Sequence, residues 1–458
     1  NSKTLSSATA KFQISLASPY VSAQLNLDGD TSTELKTGLD VSVRLTPSIT
    51  TAWTINPDYG QIEADADTIE LRDTERFLPE KRPFFREGDE LMQMRHLLYY
   101  SRRFTDIDGG AKVSGEWNGY KFAMLDVLGD VSHGDERYGN SAVFRVLQSV
   151  RERSNLGYYL SDSEFEEGHS RVLGTDGYFY LSDAWRVRFQ FAGANEQNVP
   201  APGTSARDLW DYLGATTIIY DLYPWEFGLS YDAISDQFNP ALGYIPRQDI
   251  FGPTFYASYN RQSREDWYKN VSLFYENQNF WNEAGDSTLR DNELFGRLVF
   301  PNDFGIRLGQ DISYHDPYNN WRTEGGISFL TSDYWKSVEL GYALGEFEEM
   351  HYHEIDLGKN FKPFERWPIS WDFVVRFEDY PDGSQEVAWL NRVVFDLYLR
   401  KNMWIKTSLQ HRNDEIHNLS VIYGWEYRKN SWFYFVVNDV KNDTEDGLSL
   451  LTKVVYSF

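Results

Sequence analysis

Apolar and polar residues alternate with a period of two along most of this chain, in runs of roughly 10–15 residues. In the last run Leu448, Leu450, Val454, Tyr456 and Phe458 share one face, opposite Ser449, Lys453 and Ser457. Phe304, Ile306, Leu308, Ile312 and Tyr314 likewise oppose Arg307, Asp311 and Ser313. Trp185, Val187, Phe189 and Phe191 oppose Arg186, Arg188 and Gln190. Period two is the signature of a strand, whose successive side chains point to opposite sides. Soluble strands average ~5–6 residues, whereas a tilted strand crossing a bilayer needs ~9–11. The polar faces carry Arg, Asp, Glu, Gly and Ser, as the wall of a watery lumen does. The pattern predicts an all-β fold: a transmembrane, antiparallel, up-and-down β-barrel of about 24 strands, in the range of roughly 22–26. Closure removes every sheet edge, which is what a bilayer demands.

Composition narrows the reading. No stretch approaches the ~18 uninterrupted apolar residues of a membrane helix. Aromatics make up 16% of the chain, with 15 Trp, 30 Tyr and 30 Phe, enough for belts at two membrane interfaces. There is no Cys, so thiol chemistry and disulfides are excluded. A net charge of -25 argues against nucleic-acid partners. The expected address is the bacterial outer membrane, with lipid, lipopolysaccharide and the barrel-assembly machinery as partners. Asn1 opens no signal peptide, so the chain is read as processed.

Short polar turns recur, each followed by an aromatic: Trp185, Trp225, Trp267, Phe304, Trp335, Trp367, Trp404 and Trp432. The seven Trp are predicted to form one interfacial girdle on the periplasmic side, where barrel turns are tight. Longer acidic connections near 195–208, 236–249, 282–291, 346–350 and 379–386 are placed outside the cell. Tyr456 and Phe458 are read as the barrel's C-terminal signal, and residues 1–17 as a periplasmic segment before a barrel spanning 18–458, with its first strand near 18–28.

Residues 56–109 break the rhythm and are too long for a tight loop. Asp58, Glu63, Asp65, Glu80, Lys81, Arg82, Phe84, Phe85, Arg102 and Arg103 mix charge with buried-looking aromatics. The expectation is an insert folded into the lumen as plug or constriction, its carboxylates pairing with its own basic residues. The alternative is a cap over the outer rim. Clustered Asp58, Glu63, Asp65, Asp67 and Glu70 are hard oxygen ligands for Ca²⁺, but without an EF-hand spacing, so neither a metal nor another cofactor is assigned. Arg186, Arg188 and Arg307 are expected to line the lumen, either as a selective field across it or as partners of the insert. Inward aromatics such as Tyr398 and Phe274 are sugar-stacking steps or filler.

The motif Asn56-Pro57-Asp58-Tyr59-Gly60-Gln61-Ile62-Glu63-Ala64-Asp65, with Phe77-Leu78-Pro79-Glu80-Lys81-Arg82-Pro83-Phe84-Phe85-Arg86-Glu87-Gly88 and Tyr100-Ser101-Arg102-Arg103, resembles an uncharacterised outer-membrane barrel family. This is the domain of unknown function 5916, usually found C-terminal to a family-9-like carbohydrate-binding module. The resemblance implies a membrane barrel and a link to glycans. About 17 residues precede the first expected strand here, so the module is expected to have been removed or to be lacking in this member, and the link to glycans is correspondingly weaker.

No His-Glu-x-x-His, Gly-x-Ser-x-Gly or phosphate-cradling loop is present, so no catalytic residue is nominated. His351 and His353 share a strand face near an outer loop. The leading functional expectation is a conduit for a solute, glycan or polymer, gated or plugged by the insert. The runner-up is a closed barrel anchoring a partner lipoprotein or carbohydrate-binding module.

Overall fold

A computed structural model describes residues 13–27, 31–60, 68–69, 71–133, 135–166, 168–198, 210–413, 417–441 and 446–458. Its strands begin with β1 (Gln13–Asn26), β2 (Ser32–Thr46), β3 (Ile49–Ile55), β4 (Phe104–Trp117), β5 (Tyr120–His133) and β6 (Asp135–Arg151). Next come β7 (Ser154–Phe165), β8 (Gly168–Tyr180), β9 (Trp185–Asn198), β10 (Asp211–Leu222), β11 (Trp225–Ile234) and β12 (Ile250–Gln262). The chain continues through β13 (Asn270–Trp281), β14 (Ser287–Val299), β15 (Gly305–His315), β16 (Tyr318–Phe329), β17 (Val338–Phe347) and β18 (Met350–Phe361). It ends with β19 (Ile369–Asp379), β20 (Gln385–Arg400), β21 (Met403–Arg412), β22 (His417–Arg428), β23 (Ser431–Lys441) and β24 (Asp446–Val455).

Each strand pairs antiparallel with the next, and β1 pairs with β24, which closes a 24-stranded barrel. Beyond the last β24 pair the seam continues to the final residue. Tyr456 N–H donates to the Pro19 carbonyl at 3.1 Å and Phe458 N–H to Ala17 at 3.2 Å. The Ser18 and Ser457 hydroxyls meet at 2.7 Å. The rings of Tyr456 and Phe458 lie 6.3 Å apart on the outer surface.

The alternation sorts the two faces. On β15, Leu308 and Ile312 are exposed on the outside, while His315, of the opposite parity, reaches Asp73 of the segment between β3 and β4. Arg307, Asp311 and Ser313 therefore face inward with it. On β5, Met124 and Leu128 are exposed while Ala123, Leu125 and Val127 are buried. Connections from even to odd strands are no longer than that over 330–337 and are assigned to the periplasmic rim. The opposite rim carries the long connections, among them the 56–103 insert and the 235–249 loop.

Two boundaries differ from the sequence expectation. The first strand begins at Gln13 rather than near residue 18, because Gln13 and Ile14 are drawn into the ladder by Arg44 and Val43 of β2, with an irregularity before Leu16. Residues 13–17 thus belong to the wall. The insert ends at Arg103, not Gly109, since Phe104–Trp117 is strand. Two register shifts, around Ile107, interrupt β4 there and erase its alternation.

Candidate functional site

The insert leaves the wall at Asn56, whose φ of 46° lies in the left-handed region that Asn tolerates. Its carbonyl accepts from the Tyr20 hydroxyl and its side-chain amide donates to Thr37 O at 2.8 Å. Lys453 of β24 donates to the Asp58 carbonyl, and Asp58 Oδ1 accepts from Gly60 N–H at 2.9 Å. Glu63 and Asp65 lie outside the described residues.

Arg82 is the hub of the insert. Its Nε donates to Glu80 at 3.0 Å, and its two terminal nitrogens donate to Phe104 O and Ser101 O at 2.6 Å each. The guanidinium also lies 4.3 Å from the centre of the Phe85 ring. One side chain thus ties the insert's descending limb to its return. Burial opposes ionisation of Glu80, but Arg82's hydrogen bonds and charge outweigh it and hold the carboxyl below its ordinary range. Arg103 closes a second tie, donating to Glu75 at 2.7 Å and to Gly243 O at 2.8 Å. Arg102 donates to Pro79 O at 3.3 Å, and Lys81 is half-buried, its N–H bound to Glu80 at 2.9 Å.

Pro83–Arg86 forms a single helical turn, α1, with Pro at its start, where a missing N–H costs nothing. It drives Phe84 and Phe85 into an apolar cluster with Leu91, Leu98, Tyr99 and Phe104, walled by Leu125, Val127 and Val131 of β5. Lys112 of β4 donates to the carbonyls of Phe84 and Glu87, satisfying the end of that turn. The wall adds contacts deeper in the lumen. Arg145 of β6 donates to Leu91 O at 3.1 Å and pairs with Asp176 of β8. The Tyr159 hydroxyl of β7 donates to Leu98 O at 2.8 Å.

Arg95 and His96 carry the insert to the next stretch of wall. Arg95 makes a two-pronged pair with Asp232 of β11 and donates to Thr217 at 3.1 Å and Ser230 at 3.2 Å. His96 Nε2 lies 2.7 Å from Asp232, and its backbone exchanges two 2.9 Å bonds with the Gln190 amide of β9. Leu97 bridges Tyr244 of the 235–249 loop, which folds inward to bury Phe238, Ala241, Leu242 and Ile245. Beyond this loop the contacts among the described residues include polar ones. Asp73 meets Arg247 at 2.8 Å and His315 of β15 at 3.2 Å, and Arg376 of β19 donates to Ile69 O. Burial opposes ionisation of Asp73, yet Arg247 and then His315 hold it below the ordinary carboxylate range.

Arg186, Arg188 and Arg307 share the luminal face with Gln190 and His315. Arg186 pairs with Asp221 at 3.0 Å and Glu226, and Arg307 with Asp356 at 2.9 Å and Glu339 at 3.5 Å. Both are bound by wall carboxylates rather than by the insert. Arg188 borders a cavity of about 440 Å³ left between the insert and β9–β13, lined also by Arg95, His96, Asp232 and Glu276.

The girdle divides. Trp185, Trp225, Trp267 and Trp367 are exposed on the outside, and Trp335 sits in the β16–β17 turn with Tyr334 and Lys362. Trp404 and Trp432 face the lumen, a correction to their interfacial placement. The reason is register: Tyr434 lies opposite Lys453, which reaches the insert, and opposite Gly424. Gly424 in turn lies opposite Trp404, and Trp432 has the parity of Tyr434. His351 and His353 point outward, His353 bonded to Tyr342 at 2.7 Å. Arg95, Lys112, Arg145 and Asp232 escaped the sequence reading. The one signal for them was the basic pair Arg95-His96 interrupting the apolar run 91–98.

No curated protein matches the chain. Among solved structures, the siderophore receptor PirA from Acinetobacter baumannii is 8% identical over 96% of this chain and 80% of that one, with a TM-score of 0.52. The ferric-catecholate import receptor Fiu from E. coli K12 is 7% identical over 96% of this chain and 81% of its own, at 0.46. The siderophore receptor PirA from Pseudomonas aeruginosa is 10% identical over 98% and 80%, at 0.43. The first of these is a likeness of barrel fold. The family model of a domain of unknown function, DUF5916, matches residues 13–114, from the start of β1 through the whole insert into β4. Across that stretch the chain is similar to the domain of unknown function 5916, and as a whole it has the closed 24-stranded fold of an integral outer-membrane β-barrel.

Proposed function

We propose that the barrel is a conduit whose passage is constricted by the 56–103 insert. One observation carries this: the insert's attachment is lopsided. Against β4–β11 it buries Phe84, Phe85, Leu91, Met92 and Leu98, each contributing roughly 1.5–3 kcal/mol. Against β15 and β19 its contacts among the described residues include the polar ones of Asp73 and Ile69, and Leu71 borders a cavity there rather than a packed cluster. A barrel of this size encloses more space than wall side chains fill, and an insert fixed to one side narrows it without occupying all of it. The far-side contacts are the ones that break first, and that is where a gate would open.

Planar-bilayer conductance tests the reading. Deleting residues 68–95 is expected to raise single-channel conductance severalfold over wild type. A wild-type barrel that stays shut, with no gain from the deletion, removes the constriction. The scaffold alternative draws on the same apolar anchor, which suits a permanently closed barrel. It requires a stoichiometric partner in mild detergent and no current.

A further inference from the structure

We infer that the luminal rings of Trp404, Trp432, Tyr434 and Tyr398, at the periplasmic mouth, form a stacking platform for pyranose rings of an oligosaccharide. The inference deepens the conduit reading and rests on it for access to the lumen. Three of the rings form one patch: Trp404 to Trp432 6.4 Å, Trp404 to Tyr434 6.4 Å, and Trp432 to Tyr434 5.7 Å at an interplanar angle of 10°. Tyr398 of β20 lies directly opposite Trp404 and is 40% exposed. Gly424 lets the patch form. It stands between Trp404 and Tyr434 in the ladder, and a Cβ there would lie 2.4 Å from the Trp404 ring. The indole therefore lies across the wall.

The surroundings suit a sugar rather than a purely apolar ligand. The amine of Lys406 lies 5.7 Å from the Trp404 ring centre. The next luminal step is apolar, with Ile422, Val436 and Leu451 packed against Trp404 and Tyr434, and polar groups flank it: Asn438 beyond Val436 on β23, buried Ser408 and Gln410 on β21, and Asp396 one luminal step above Tyr398. A pyranose offers C–H groups on its face and hydroxyls around its edge. Its face covers an aromatic ring, and its edge meets donors and acceptors such as these. Ring separations near 6 Å match the order of size of one monosaccharide, so a chain can engage successive rings.

The test is binding of maltohexaose and cellohexaose to the whole barrel, by calorimetry in tetraethylene glycol monooctyl ether, a detergent without sugar headgroups. Saturable binding of at least one hexaose is expected, weakened about tenfold by W404A or W432A and largely kept by W404F. W185A, on the outer surface, is expected to leave it unchanged. Heat-modifiable migration on gels establishes that each variant is a folded barrel. Binding of neither sugar by wild type overturns the platform, as does binding that survives W404A and W432A together. A barrel that binds a hexaose but passes no current keeps the platform and removes the conduit. A conducting barrel that binds neither sugar does the reverse.

Discussion

Arg82 and its partner Glu80 are the pair on which the insert's shape turns, with side chains 9% and 5% exposed. Breaking a buried pair costs more than the pair contributes, because the survivor is left charged and unmatched. R82A is therefore expected to destabilise the docked insert by about 3–5 kcal/mol. The 68–95 segment should become protease-sensitive while the barrel stays heat-modifiable. Acid should act at the same place. The carboxyls of Glu80 and Asp73 are both held below their ordinary range, so the docked insert binds protons less readily than a released one. Their stabilisation is complete above the ordinary carboxylate pKa of about 4 and is lost as pH falls below it. Protection factors of the insert's amides, corrected for the pH dependence of intrinsic exchange, should be constant from neutrality to about pH 5 and fall below about pH 4. Glu80 and Arg82 were visible in the sequence as a charged cluster beside aromatics, but their geometry was not. Trp404 could have been placed: it shares parity with Lys406, Ser408 and Gln410, against Met403, Ile405 and Leu409. Trp432 could not, since both faces of β23 are apolar: Tyr434 and Val436 on one, Phe433, Phe435 and Val437 on the other.

At the level of the strand, the ladder brings like charges together. Glu276 of β13 lies opposite Glu293 of β14, which lies opposite Asp311 of β15. Carboxylates facing one another across adjacent strands destabilise the sheet, and here they line the wall away from the apolar anchor. Such a row favours cations in an aqueous passage. Replacing all three with amides is expected to shift the reversal potential under a salt gradient towards that of an unselective pore. An unchanged potential would place the ion pathway elsewhere. The row escaped the sequence because register decides which residues stand opposite, and register depends on turns and bulges far along the chain. The same dependence hid the true start of β1 and the irregular opening of β4. Long regular strands such as β15 and β17 were legible because nothing interrupts their alternation.

For the molecule as a whole, strand number and closure came from counting alternating runs and tight turns, since a bilayer leaves the sheet no other way to satisfy its edges. Where the insert goes was legible only as an expectation. Its inward path depends on Lys112, Arg145, Tyr159 and Asp232, which are spread over four strands and meet only after closure. Everything rests on which side of the wall is wet, and the lack of native Cys allows that to be measured directly. Single cysteines along β15, from Ile306 to Tyr314, can each carry a nitroxide label in the reconstituted barrel. Oxygen accessibility should peak at Ile306, Leu308, Ile312 and Tyr314, and accessibility to a water-soluble nickel chelate at Arg307, Asp311 and Ser313. Flat profiles, or the two reagents exchanging positions, would contradict the account.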